Sequence, residues 1–106
     1  MDFNLIYATA ANRDQALEIA RILVGERLVA CANVLGGAAS VYWWEGKVEE
    51  GGEAVLICKT RSDLVEAVTQ RITQSHSYAC PCVVAVPLTG GNPAFLAWIA
   101  AETRST

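Results

Sequence analysis

The stretch VACANVLGGAASVYWWEGKVEEGGEAVLICKT, from Val29 to Thr60, decides the fold of this chain. Segments rich in Val, Ile, Tyr and Trp lie on both sides of Glu45-Gly46, and Gly tolerates the positive φ that a two-residue turn needs. The pattern therefore predicts a long antiparallel hairpin that folds back at Gly46. A bulge or bend is expected at Gly36-Gly37, and Gly51-Gly52 is expected to face that pair across the hairpin.

The end of the first arm carries large apolar side chains on both faces. Because side chains alternate along a strand, Val41 and Trp43 point one way, and Tyr42 and Trp44 point the other way. An antiparallel strand covered on one side by its own domain normally shows polar residues on the other side. We therefore predict that Tyr42, Trp43 and Trp44 form an interface with further copies of the chain. The alternative is that one Trp packs in the core and the other lies over the turn.

Length and composition are typical of one small globular domain. The 106 residues are expected to form a single domain, 1–106, that buries a core without disulfides. Hydrophobic residues make up 53% of the chain and charged residues 18%, a balance that favours oligomerisation in so small a domain. The net charge of -3 and the dispersed basic residues argue against a nucleic-acid partner.

Membrane association and secretion are not expected from this sequence. No apolar run reaches the length of a membrane span, and the segment Met1-Asp2-Phe3 has no basic region ahead of an apolar stretch. We therefore expect a cytoplasmic protein with no membrane partner.

Hydrophobic periodicity and capping signals predict the elements outside the hairpin. Their approximate bounds are a strand from Phe3 to Thr9, a helix from Arg13 to Gly25, a helix from Ser62 to Gln74, a strand from Cys82 to Leu88 and a short last helix opened by Asn92-Pro93. The expected caps are an Asn12/Gln15 capping box and Ser62-Asp63, and the tail from Thr103 to Thr106 is expected to fray. The order predicts an α+β fold: a ferredoxin-like βαββαβ sandwich with a long central hairpin and an extra C-terminal helix.

The four cysteines divide into two pairs. Cys31 and Cys58 lie inside apolar strand patterns, where free cysteine acts as a small hydrophobe. Cys80 and Cys82 flank Pro81, and an extended backbone would put both thiols on one face with Cα atoms roughly 6.5 to 7 Å apart, too far for a comfortable disulfide. They either fill apolar space where the strand begins or, with His76 a few residues away, bind a soft cation such as Cu(I).

Five colinear blocks resemble the CutA family, the divalent-cation tolerance proteins. They are ERLVACANV at Glu26 to Val34, SVYWWEGKV at Ser40 to Val48, the pair Lys59-Thr60, His76-x-Tyr78 with Pro81, and GNPAFLAW at Gly91 to Trp98. The resemblance implies a ferredoxin-like subunit, similar to PII signalling proteins, that assembles as a compact homotrimer through its long hairpins. It also implies a role in metal-ion tolerance, copper in particular.

The segment from His76 to Cys82 departs from the family pattern. Family members usually have H-P-Y-E-x-P-E where this chain has H-S-Y-A-C-P-C, so both usual carboxylates are replaced. In bacterial members with a proposed copper site, the matching positions are a cysteine and two adjacent histidines. Here they are Ala8, Ser75 and His76, which leaves His76 as the one ligand that the resemblance carries over.

Two functional hypotheses follow. One is a metal-responsive protein that binds Cu or another divalent cation through His76, with or without Cys80 and Cys82. The other is a PII-like trimer that binds a small ligand or a protein partner in clefts between subunits, with metal tolerance an indirect consequence. An enzyme is not expected, because a lone His76 without a nearby carboxylate in sequence offers no nucleophile, base and orienting group in mutual reach.

Overall fold

Four strands and three helices follow one another in the computed structural model, which describes residues 1–105. The elements are β1 (Phe3–Ala10), α1 (Arg13–Gly25), β2 (Cys31–Trp44), β3 (Lys47–Arg61), α2 (Val65–Ser75, preceded by a 3-10 turn at Ser62–Leu64), β4 (Val83–Pro87) and α3 (Pro93–Glu102). The strands form one antiparallel sheet in the order β2-β3-β1-β4. The α+β prediction, with its βαββαβ order and added C-terminal helix, is confirmed.

The main core lies between the sheet and the helices α1 and α2. Alternate side chains of β1 and β3 point to this inner face, where they are buried, while their neighbours point to the opposite, outer face. Both helices present their apolar stripes to the same face, and together these groups form one buried cluster that includes Ile6, Leu56 and Cys58 from the strands, Ile19 and Leu23 from α1, and Val68 and Ile72 from α2.

The hairpin turns at Glu45-Gly46, as predicted. Glu45 has φ +50° and Gly46 has φ +79°, and Trp44 pairs with Lys47 across this two-residue turn. The predicted bulge is also present, because Leu35 pairs with Val55 and Ala38 pairs with Glu53, which places one extra residue in β2.

The expected facing of the two glycine pairs is wrong. Gly51 pairs with Ser40 and Gly52 with Ala39, and these partners lie three positions nearer the turn than Gly36-Gly37. The tight turn at Glu45-Gly46 sets this register, so the bend in β2 depends on the bulge alone.

The bulge exchanges the faces of β2. Before it, Cys31 and Leu35 pair with the outer-face residues Lys59 and Val55 of β3. Beyond it, an uninterrupted strand would have placed Tyr42 and Trp44 on the inner face, but the extra residue moves both aromatic rings to the outer face. Val41 and Trp43 consequently lie on the inner side.

Two of the three predicted helix caps are present. The Asn12 side chain accepts from the Gln15 amide at 2.8 Å, and the Gln15 side chain accepts from the Ala11 amide at 3.0 Å. The Asn92 side chain accepts from the Ala94 amide at 3.1 Å, with Pro93 in the first turn.

The expected cap at Ser62-Asp63 is wrong. Ser62 donates its hydroxyl to the Asn4 side chain, and Asp63 receives two hydrogen bonds of 2.9 Å from the Arg61 guanidinium. That ion pair lowers the pKa of Asp63 and raises the pKa of Arg61. With both side chains engaged elsewhere, the segment begins as a 3-10 turn and the α-helix starts only at Val65.

The predicted fraying of the tail is wrong for its first residues. Thr103 is buried, its hydroxyl donates to the Ile99 carbonyl at 2.9 Å, and the Arg104 amide donates to the Arg27 carbonyl at 2.8 Å. The Thr103 bond closes the end of α3, and the Arg104 bond joins it to the connection between α1 and β2. Thr106 lies outside the described residues.

Although α3 is strongly apolar, no helix within residues 1–105 is long and apolar enough to cross a membrane.

Replacing Gly37 by Ala tests the bulge. Gly37 has φ +78° and open space around its missing Cβ, so Gly37→Ala should cost about 1 to 2 kcal/mol of stability from backbone strain alone. Gly51→Ala is the matched control, because Gly51 lies in the same hairpin with equally open space and no positive φ. Thermal melting at one fixed protein concentration should show a lower melting temperature for Gly37→Ala only. Equal losses in both variants would contradict the role assigned to the bulge.

Candidate functional site

A cleft of about 440 Å³ lies on the outer face of the hairpin, beside the loop that joins α2 to β4. We call it the aromatic cleft, and its lining residues are Thr9, Ser40, Tyr42, Trp44, Glu53, Tyr78, Ala79, Cys80 and Cys82. Ser40, Tyr42 and Trp44 alternate along β2 beyond the bulge, so one run of sequence supplies one wall. The segment from Tyr78 to Cys82 supplies the opposite wall.

His76 fixes the start of this loop. Its Nε2 atom lies 2.7 Å from the Thr9 carbonyl oxygen, and its Nδ1 atom lies 3.0 Å from the Tyr78 amide nitrogen. In the tautomer that satisfies both contacts, Nε2 carries the proton and donates, while the Nδ1 lone pair accepts. The imidazole also contacts the Tyr78 ring, with the ring centroids 4.6 Å apart. His76 therefore ties the loop to the end of β1 and has no free lone pair for a metal ion in this arrangement.

Tyr78 closes the cleft against the hairpin. Its hydroxyl donates to the Glu53 carboxylate at 3.2 Å. Partial burial raises the pKa of the Tyr78 hydroxyl, and the negative charge of Glu53 raises it further. Glu53 is the one charged residue among those that line the cleft, so the cleft favours neutral or cationic groups over anions.

The two cysteine pairs have different surroundings. Cys58 is buried in the core, where desolvation raises the pKa of its thiol to about 12. Cys31 is half-buried on the outer face rather than in the core. Cys80 and Cys82 are exposed and line the same cleft, so neither fills apolar space inside this chain.

The predicted metal ligands His76, Cys80 and Cys82 are not brought together as one set. Within residues 1–105, no group of three or more His, Cys, Asp and Glu side chains is arranged to hold a metal ion. Of the other two positions that match the family's proposed copper site, Ala8 is buried and has no donor atom, and the Ser75 hydroxyl donates to the Arg71 carbonyl at 2.9 Å. Because His76 is also engaged at both nitrogens, the residues at these positions do not fit copper held in that manner.

The predicted interface residues are exposed in the single chain. Tyr42 and Trp44 are 46% and 52% exposed on the outer face, and Trp43 is 74% exposed on the inner side. None of the three packs in the core, so the alternative of one core Trp is wrong.

The sequence did not single out Glu53 or Thr9, because their roles depend on strand register and on where the loop crosses β1.

These features define a class: a small α+β protein whose helices α1 and α2 cover one sheet face and whose long hairpin carries an aromatic cleft on the other. Residues 4–102 match the family described as CutA1 divalent ion tolerance protein. The chain belongs to this family.

Relatives and solved structures agree with that assignment. Protein CutA 1, chloroplastic, of Oryza sativa subsp. japonica is 40% identical over 96% of this chain, which spans 58% of that relative's length. The divalent-cation tolerance protein CutA of Archaeoglobus fulgidus is 41% identical over 91% of this chain and 93% of its own. The crystal structure of CutA1 from Oryza sativa superposes with a TM-score of 0.97 at 39% identity, covering 100% of this chain and 97% of that one.

Thiol accessibility tests the placement of the cysteines. A thiol-specific reagent at neutral pH should modify two thiols fast, because Cys80 and Cys82 are exposed, and should reach Cys58 only after unfolding, because it is buried and its pKa is raised to about 12. The Cys80→Ser/Cys82→Ser variant should lose the fast phase while its total thiol count after denaturation falls by two. Fast modification of Cys58 in the folded protein would contradict the structure.

Proposed function

We propose that the chain acts as a homotrimer in the tolerance of divalent cations and responds to metal ions, copper in particular, by metal binding or by signalling. Family membership supports the link to divalent cations. One structural observation carries the assembly: the hairpin extends beyond the rest of the sheet with apolar faces and unpaired edges.

The unpaired edges follow from the strand lengths. β3 pairs with β1 only from Ala54 to Arg61, whereas its pairing with β2 continues to Lys47. From Lys47 to Glu53 the hairpin is therefore a two-stranded ribbon, with no third strand supplied by residues 1–105. Such ribbons are marginal in water, and long exposed edges favour pairing with another chain. A partner that supplies a further strand or face would stabilise this ribbon.

The outer face continues the apolar surface from the hairpin onto the sheet. Tyr42 and Trp44 share this face with Tyr7 of β1 and with Val84 and Val86 of β4, all of them at least a third exposed. An apolar surface of this extent is characteristic of an interface. A second and a third copy of the same chain are the occupants we propose, because each copy brings an identical ribbon, in the PII-like arrangement that the family resemblance implies.

Light scattering on paired tryptophan variants tests the assembly. The unmodified protein should have the mass of three chains at micromolar concentration. Trp44→Ala should destabilise the trimer by on the order of 3 to 5 kcal/mol, because it removes a large interfacial ring. Trp43→Ala is the matched comparison, because it removes the same ring from the inner side and should cost less. A monomer mass for the unmodified protein would reject the trimer, and a larger effect at Trp43 would reject the outer face as the interface.

A second candidate function is a PII-like module that binds a small molecule or a protein partner, with metal tolerance indirect. The aromatic cleft favours it: about 440 Å³, walled by Tyr42, Trp44 and Tyr78, is ample for a small ligand. With Glu53 as the charged group in the lining, the ligand chemistry that fits is a neutral aromatic or an organic cation rather than a nucleotide phosphate.

Thermal shift against two panels separates the candidates. If metal is bound directly, Cu and other metal ions should raise the melting temperature at concentrations above their Kd, since a ligand that binds only the folded state stabilises it by mass action. If the second candidate holds, aromatic or amine metabolites should do so, and Trp44→Phe should weaken that shift more than Trp43→Phe. Shifts from neither panel would contradict direct binding of either kind.

No catalytic role is proposed. His76 is held between a carbonyl and an amide, and the aromatic cleft offers no nucleophile paired with a base among its described contacts.

A cytoplasmic location also stays a prediction. The Oryza sativa relative is described as chloroplastic, and the CutA of known structure from Archaeoglobus fulgidus is described as periplasmic.

A further inference from the structure

We propose that Cys80 and Cys82 form a two-thiolate site for a soft monovalent cation, Cu(I), at the wall of the aromatic cleft. The inference deepens the proposed function by naming the ion and the ligands, and it rests on that function only for the link to metal tolerance. The binding site itself is argued from this chain's own residues.

Both thiols are presented to one cleft by the backbone between them. Pro81 fixes its own φ and disfavours the helical region for Cys80, so a single rigid residue separates the two cysteines. Both cysteines are free and exposed, and both are part of the lining of the aromatic cleft. Cys31 and Cys58 do not line this cleft, which leaves the Cys80–Cys82 pair as its sulfur donors.

The geometry favours one bridging ion over a disulfide. Cα atoms two residues apart in an extended chain are roughly 6.5 to 7 Å apart, at or beyond the usual limit for a disulfide. With metal–thiolate bonds of about 2.3 Å, two sulfurs on opposite sides of one ion are about 4.6 Å apart. Rotation about the Cα–Cβ bonds would allow two exposed thiols that line one cleft to reach that separation.

The donor set selects the ion. Zinc in proteins normally takes four ligands, and within residues 1–105 no third His, Cys, Asp or Glu joins a metal-binding group. Thiolates are soft donors that prefer Cu(I), an ion that is stable with two ligands. Binding is an exchange without electron transfer: two S–H bonds release their protons to solvent, two S–Cu bonds form, and copper stays Cu(I).

The aromatic rings complete the site. Trp44, Tyr42 and Tyr78 line the same cleft, where aromatic rings favour a positive charge. His76 holds the loop from behind through Thr9 and Tyr78, so it acts as a positioning residue for the thiols and not as a ligand.

The test is an anaerobic competition titration of the reduced full chain against a Cu(I) chelator. The unmodified protein should take up one Cu(I) per chain, and X-ray absorption should report two sulfur neighbours. Cys80→Ser/Cys82→Ser should lower the affinity for Cu(I) by at least about a hundredfold. Mutating a residue that only hydrogen-bonds to a metal ligand already lowers metal affinity by about 10 to 100-fold, and this variant removes both ligands. Cys31→Ser is the matched control, because it removes a half-buried thiol outside the cleft, and it should bind as the unmodified protein does.

Further variants and the redox-inert ion Ag(I) sharpen the result. Ag(I) should follow Cu(I) in every variant, because it is equally thiophilic and its binding involves no oxidation. His76→Asn should leave two sulfur neighbours in the spectrum, as a positioning residue predicts, whereas replacement of one neighbour by another atom would make the imidazole a ligand and overturn the two-thiolate assignment. If the double serine variant were unfolded, alkylation of the two exposed thiols in the folded protein should cause the same loss.

Failure of the site and failure of the proposed function give different results. Two results would reject the two-thiolate site and leave the proposed metal response intact. One is equal Cu(I) affinity in the unmodified protein and the double variant. The other is no Cu(I) uptake by the unmodified protein although other metal ions raise its melting temperature. Loss of Cu(I) confined to the double variant would support the site even if light scattering returned a monomer.

Discussion

One extra residue in β2 governs the surface of this protein. The bulge between Leu35 and Ala38 exchanges the inner and outer faces of the strand, so the end of the hairpin presents Tyr42 and Trp44 to the outer face. Gly37, with φ +78°, makes that conformation inexpensive. The aromatic cleft and the apolar face proposed as the interface both depend on this exchange, because an unbulged strand would have directed the same rings to the inner side.

The loop between α2 and β4 depends on a second constraint, the two hydrogen bonds of His76. The imidazole joins the Thr9 carbonyl to the Tyr78 amide, and Tyr78 in turn reaches Glu53 on β3. This chain of contacts places the opposite wall of the cleft, including Cys80 and Cys82, against the hairpin. The same contacts explain why a histidine that looks like a metal ligand in the sequence is engaged structurally. A site in this cleft therefore draws on the cysteine thiols, the aromatic rings and the Glu53 carboxylate rather than on the imidazole, which changes the chemistry expected from the family pattern.

Assembly and binding are linked through the hairpin. The described part of the chain gives the ribbon from Lys47 to Glu53 no third strand, and the cleft opens on the same outer face as the proposed subunit contacts. A ligand or metal in the cleft would therefore lie close to a boundary between copies. Binding there would shift the stability of the assembly, and assembly would shift the affinity, because linkage between two equilibria is reciprocal. That coupling would give the protein a way to respond to metal ions through its state of assembly.

The element order, the hairpin turn, two of the three caps and the presence of a bulge could be predicted from the sequence. Each of them depends on local chemistry: glycine at positive φ, amide capping by Asn12 and Asn92, and apolar periodicity. The features that depend on long-range pairing became apparent only in the tertiary structure. It showed that Gly51-Gly52 pairs three positions nearer the turn than Gly36-Gly37, that Ser62 and Asp63 bind Asn4 and Arg61, and that Thr103 is anchored in the fold. It also showed that His76 is committed to Thr9, a contact across 67 residues that no local pattern encodes.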